Sequence, residues 1–177
     1  MENLNINYTL VKEIIVGISA IVGMALGIYN LVHSIRKDKV KIKIIPKAIM
    51  RETRNTTTGE RGIILADNDF ASFHPFFAFE IINQSNFSVV VDEIGLKIRG
   101  KKARLSIPIP QLGDKGEWPR ELKPRNSVVV YGKLENIIDA AKNNKIVSAY
   151  VKTACNNISY GKSKALELLK EFAKKNV

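Results

Sequence analysis

The residues that could do chemistry are few and scattered. Asp67 and Asp69 bracket Asn68 in the spacing that opens a calcium loop, but neither the glycine nor the distal glutamate of such a loop follows. Glu80, Asp92 and Glu93 could supply paired carboxylates for acid–base work. They stand in runs that alternate polar with apolar residues, and a solvated strand face accounts for them. His74 precedes Pro75 in a turn-like setting, with no Asp or Cys relay visible beside it. Cys155 is the one cysteine, so an internal disulfide and a CxxC zinc site are excluded; at the end of an apolar run it reads as a small buried hydrophobe. With His33 and His74 as the only histidines, nothing remains for a His-rich metal centre. No GxGxxG or GxxxxGK[ST] loop occurs. The reading is a non-enzyme with no catalytic residue, no metal and no cofactor.

The strongest candidate site is basic. Lys97, Arg99, Lys101, Lys102 and Arg104 crowd one stretch, and strict alternation would put Lys97, Arg99 and Lys101 on one strand face, opposite Ile94, Leu96 and Ile98. Such a cluster could meet the phosphates of lipid or nucleic acid; a lysine-protected sheet edge is the ordinary alternative. The aromatic side chains that a single-strand binder interleaves with its cations are missing from this stretch, which argues against nucleic acid. Trp118, the only tryptophan, lies in the loop from Leu112 to Pro119 and marks a contact surface for a protein partner. The whole chain carries 28 Lys+Arg against 17 Asp+Glu, a net charge of +11, which favours partners with negative surfaces.

The elements that position these residues begin with an apolar run. Ile14 to Ile35 contains no Asp, Glu, Lys or Arg, and about 20 such residues cross a bilayer core as a helix. Residues 1–13 form a short tail with Glu2, Lys12 and Glu13; a cleaved signal would start basic and end at a small-x-small site. After the run come Arg36, Lys37, Lys39, Lys41, Lys43 and Lys47 with one acid, Asp38. The positive-inside rule then places the C-terminal side in the cytoplasm, in a single-pass protein of the cell inner membrane, with Arg36, Lys37, Lys39, Lys41 and Lys43 at the lipid surface. Ser19, Gly23 and Gly27 recur at every fourth residue, a pattern that lets two membrane helices approach and pair as a homodimer.

From Val40 onward the texture changes. Residues 36–47 read as a basic juxtamembrane segment and a first strand, which Pro46 should end or confine to an edge. Residues 48–177 read as a β-domain. Strands are expected at Gly62–Ala66, Phe76–Ile82, Phe87–Ile98, Ala103–Ile107, Ser127–Tyr131, Lys145–Ala154 and Ile158–Tyr160, with residues 51–62 as a polar hairpin loop and Gly95 as a bulge. Many short strands with turn signals between them predict an antiparallel sandwich. Leu134, Ile137, Ile138 and Ala141 predict a short helix. Ser163 predicts the cap of a C-terminal amphipathic helix bearing Leu166, Leu169, Phe172 and Ala173.

Three segments carry a resemblance: Glu80 to Val89 followed by Glu93-Ile94-Gly95; Leu122 to Val130; and Ala149 to Cys155 with Tyr160-Gly161-Lys162-Ser163. Together they resemble a diffuse, uncharacterised group of small bacterial and prophage-encoded proteins with one N-terminal membrane segment, a basic linker and an immunoglobulin-like β-domain. The resemblance spans nearly the whole chain but its motifs are structural. It implies a mainly β, immunoglobulin-like antiparallel sandwich behind one transmembrane helix, and a role in host or superinfection interference through protein binding. In that group a glycine is common after the cysteine; here Asn156 stands there. The alternative function is binding of anionic lipid or nucleic acid through the basic patches.

Overall fold

A computed structural model describes residues 8–54, 61–72, 74–101, 104–108, 110–114 and 116–175. The chain divides into two compact units, Met1–Lys39 and Val40–Val177.

The first unit is the helix α1, Tyr8–Lys37. Within it Val11–Ser34 has a mean hydropathy of 2.1, and none of its most apolar stretch is buried in the protein. At 1.5 Å per residue these 24 residues extend about 36 Å, more than a hydrocarbon core of roughly 30 Å. The helix is therefore long and apolar enough to span a membrane. Gly23 and Gly27 meet no neighbour within 4 Å. The Ser19 hydroxyl donates to the Ile15 carbonyl at 2.8 Å, which satisfies it inside the helix. One turn apart, Tyr29 and His33 stack with ring centres separated by 5.9 Å.

The second unit is mainly β. In chain order its described elements are β1 (Ile42–Arg54), β2 (Arg61–Ala66), β3 (Phe76–Asn83), β4 (Val89–Ile98), β5 (Arg104–Ser106), β6 (Gln111–Leu112), β7 (Arg120–Leu122), β8 (Ser127–Lys133), α2 (Leu134–Asn143), β9 (Ile146–Thr153), β10 (Ile158–Gly161) and α3 (Lys164–Lys175). They build two antiparallel sheets. One runs β2-β1-β3-β8-β6; the other runs β10-β9-β4-β5, with β7 beside the start of β4. Period-two alternation decides which side chains go inward. Phe77, Phe79 and Ile81 of β3, Val128 and Val130 of β8, Ile94 and Leu96 of β4, and Ala149 and Val151 of β9 join one buried cluster. Leu134 and Ile137 of α2 and Leu166 and Leu169 of α3 belong to the same cluster. Ser163 caps α3 as expected, its Oγ accepting the Leu166 N–H at 3.2 Å.

Several expectations change on inspection. Pro46 does not end the first strand; β1 continues to Arg54, so the boundary expected after Lys47 falls inside it. The reason is a change of partner. β3 pairs with Ile42–Ala48 and β2 only from Ala48 onward, so at Pro46 the strand has a ladder on one side alone and a missing N–H is tolerated. The strands also reach further into the polar segment 51–62 than expected, with residues 55–60 outside the described set. Gly95 is not a bulge. The extra residue in β4 is Asp92, between Val91 and Glu93, and Gly95 is required because a Cβ there would strike the Leu105 carbonyl. The segment Leu112–Pro119, read as pure loop, begins inside β6, and β7 follows at Arg120.

The strand directions put three loops at one end. β3 leads to β4 through residues 84–88, β7 to β8 through 123–126, and β9 to β10 through 154–157. Asn83, fully buried, ties them together: its Nδ2 donates to the carbonyls of Phe87, Leu122 and Lys123 at 2.8, 2.9 and 3.1 Å, and its Oδ1 accepts the Ser85 N–H at 2.9 Å. The Ala154 N–H donates to Val90, which brings in the third loop. Lys41, just before β1, joins the same end through its N–H to Ser85 Oγ at 2.8 Å and its carbonyl to Gln84 at 2.7 Å. The helices follow the opposite strand ends: α2 continues β8 and leads into β9, and α3 follows β10.

Candidate functional site on the outer face of the second sheet

Cross-strand pairing decides what stands beside the basic stretch. Gly95 pairs with Tyr150, and Tyr150 with Tyr160, so these three share a row across β4, β9 and β10. Lys97 pairs with both Arg104 and Ser148 in the adjacent row. In an antiparallel sheet directly paired residues face the same side, which makes the two rows neighbours.

The contacts follow from that register. The Lys97 ammonium lies 4.3 Å from the ring centre of half-exposed Tyr160, and the Arg104 guanidinium carbon lies 5.1 Å from that of Tyr150. Both are within cation–π reach. The absence of aromatics beside the cations is thus corrected: the rings come from strands β9 and β10, some fifty residues on in the chain. Tyr150 itself is fully buried, and its Oη donates to Glu93 Oε1. Burial first, then the Glu93 carboxylate, push its phenol above the ordinary tyrosine range. Lys152 stands 3.8 Å from Glu93 and 3.7 Å from Asp92. Lys47 pairs with Glu80 at 2.9 Å. The carboxylates singled out in the sequence are therefore held by lysines and a tyrosine, and they lie on different sheets.

The basic stretch does not share one face. β4 ends at Ile98, and Arg99, Gly100 and Lys101 form the turn, with Gly100 at φ 73°. The Arg99 N–H donates to the Lys145 carbonyl at 2.8 Å, and Lys101 Nζ donates to Asn144 Oδ1 at 3.4 Å. Arg99 and Lys101 are exposed at the helix end of the unit; Lys97 and Arg104 lie on the sheet; Lys102 falls outside the described residues. Alternation failed here because the strand ends at Ile98, three residues short of Lys101.

Trp118 is half-buried rather than a free loop tip. It packs against the core, its Nε1 donates to the Asp92 carbonyl at 3.1 Å, and a cis peptide bond joins it to Pro119. The bulge at Asp92 and this tryptophan therefore form one local arrangement, with Asp114 paired to Arg120 beside it in sequence. Cys155 is a second correction: it is exposed, in the β9–β10 turn, with Sγ 3.1 Å from Thr153 Oγ1. Asn156 follows at φ 62°, a left-handed position that Asn accepts, so the turn forms without glycine.

His74 is buried, and its Nδ1 accepts the Phe76 N–H at 3.1 Å. It borders a cleft of about 490 Å³ that Glu135, Asp139 and Lys142 of α2 also line. Among the described residues no three His, Cys, Asp or Glu side chains gather as metal ligands. Of the juxtamembrane cations, Lys37, Lys39, Lys41 and Lys43 are exposed, and Arg36 lies in the last turn of α1. Compared with protein-family models, with curated proteins and with solved structures, the chain matches none.

Proposed function

We propose that the chain is a single-pass membrane protein that holds an immunoglobulin-like β-sandwich at the cytoplasmic face of the inner membrane as a non-enzymatic interaction module. The observation that carries this reading is α1: residues such as Ile21 and Met24, each 69% exposed, have no protein cover, and lipid is the solvent that suits them. The lysines that follow support the cytoplasmic orientation. Two antiparallel sheets around one core, with loops gathered at an end, suit a sandwich that binds through its loops. The engagement of Glu80, Asp92 and Glu93 in ion pairs supports a binding role over catalysis. The partner is a protein, and the resemblance to prophage-encoded proteins makes interference with host or competing phage the setting. Pairing of two copies through Ser19, Gly23 and Gly27 belongs to the same reading, since Gly23 and Gly27 leave the helix surface open.

A second reading has one observation in its favour. Lys97 beside the half-exposed ring of Tyr160 is a cation and a stacking surface together, the pair that an anionic polymer would use. Steep salt dependence of binding separates it from the first.

The deciding experiment places a protease-sensitive tag at the C-terminus of the full chain. The expected result is a protein that resists alkaline carbonate extraction and a tag digested only after spheroplasts are lysed. Digestion in intact spheroplasts overturns the orientation, and extraction by carbonate overturns the membrane anchor.

A further inference from the structure

We infer that the loop end of the β-unit is a docking surface for anionic phospholipid headgroups, with Lys41, Lys123 and Arg125 as its contacting cations. The inference rests on the membrane-anchor reading and adds which part of the domain meets the lipid.

Chain length is the first argument. α1 ends at Lys37 and β1 begins at Ile42, leaving only Asp38–Lys41 between them. Fully extended, the five steps cover at most about 18 Å. The start of β1 therefore stays near the headgroups, and so does whatever shares its end of the unit. Hydrogen bonds decide what that is. Lys41 is tied to Gln84 and Ser85, and Asn83 ties that loop to Leu122 and Lys123. The expected basic patch is elsewhere: Arg99 and Lys101 follow the far end of β4, about 30 Å away along its ten residues. Lys41 and that patch therefore lie at opposite ends of the β-unit.

Charge is the second argument. Segments 84–88, 123–126 and 154–157 contain no Asp or Glu, whereas Asp67, Asp69, Glu135, Asp139 and Glu167 accompany the helix end. Lys41, Lys123 and Arg125 are exposed.

Backbone strain is the third. Arg125 sits at φ 60°, where Gly or Asn is the unstrained choice. The turn is held by the Asn126 N–H to Lys123, and the Arg125 guanidinium reaches Asn86 Oδ1 at 3.0 Å. A long cation is thus fixed at the tip of a loop cluster that holds no acid of its own, with Glu121 the nearest carboxylate in sequence, and in reach of a surface whose charge is opposite. Three cations at about fivefold each give roughly a hundredfold preference for an anionic over a neutral bilayer in the docking equilibrium.

The test uses the full chain in nanodiscs of phosphatidylcholine alone and of phosphatidylcholine with roughly a third phosphatidylglycerol. Amide hydrogen exchange is read at 84–88, 123–127 and 99–101. The expected result is slower exchange at 84–88 and 123–127 in the anionic discs only, lost at high salt, with 99–101 unchanged. The double variant Lys123→Gln, Arg125→Asn should remove most of the difference; Asn suits the left-handed turn, and an unchanged melting temperature excludes unfolding as the cause. Equal exchange in both discs overturns the inference, and so does protection at 99–101 instead. A chain stripped from the discs by carbonate overturns the anchor reading beneath it; an embedded chain without lipid-dependent protection overturns this inference alone.

Discussion

Gly161 lies against Ile44 so closely that a Cβ on the glycine would strike the Ile44 carbonyl oxygen. The contact joins β10, the edge of one sheet, to β1 of the other, and both sides of it are backbone. No rotamer change relieves it. Gly161→Ala should therefore destabilise the unit by about 1–3 kcal/mol through overpacking. At Gly113 a Cβ meets chiefly the Tyr131 side chain at 3.3 Å, so Gly113→Ala is the milder change. Urea unfolding of the two variants checks the order; equal losses would show that the sheets can part without penalty.

Asn83 is a polar hub under the loop end. Asn83→Ala removes the side-chain donor to the Phe87 and Leu122 carbonyls and the acceptor of the Ser85 N–H, an expected loss of about 2–4 kcal/mol. Asn83→Asp should cost more, because a carboxylate would then face three carbonyl oxygens. Thermal melts of both variants supply the comparison.

Tyr150 holds its proton above the ordinary tyrosine range. A folded-state value raised above the unfolded one means that the unfolded chain loses the proton first. The stabilisation is complete below about pH 10 and declines as pH rises beyond it. Unfolding curves from pH 8 to 11.5 should show this fall, and Tyr150→Phe should flatten it. An equal slope in the variant would assign the alkaline loss to other groups.

Val22 sits near the middle of the apolar span of α1. If that helix crosses a bilayer, Val22→Lys opposes insertion by about 3 kcal/mol. The variant should shift from the carbonate-resistant to the extractable fraction; full retention would argue for a helix whose centre is not in lipid.

Cys155 is exposed and is the only thiol. A maleimide should label the folded chain fully without denaturant. Labelling that requires denaturant would return the residue to the buried role its apolar strand suggested.

Those expectations mark what a sequence shows of this fold. The strongly patterned strands were legible: Phe77, Phe79 and Ile81 announced the buried face of β3, and Ser163 the start of α3. What failed depends on partners distant in the chain. Pro46 reads as a strand end or an edge position, and that it is the edge is visible only once β2 is known to join at Ala48. Cys155 reads as core because β9 is apolar, but the strand ends at Thr153 and the turn carries the thiol out. The candidate site suffered most. Lys97 looked to be without an aromatic neighbour because Tyr160 reaches it across β9, and no local pattern encodes that register.

The partner change in β1 also divides its resistance to opening. Up to Ala48 the strand is held by the central sheet; from Arg51 outward its one strand partner among the described residues is β2. A two-stranded ribbon is marginal in water by itself. The outer arm, Arg51–Arg54 with Arg61–Ile64, can therefore unzip from its tip while the core remains closed. Ile63 and Ile64, 41% and 50% exposed, ride on that arm. One strand thus serves as a permanent wall of the fold in its first half and as a detachable, apolar-edged flap in its second, with breathing rates set separately for each.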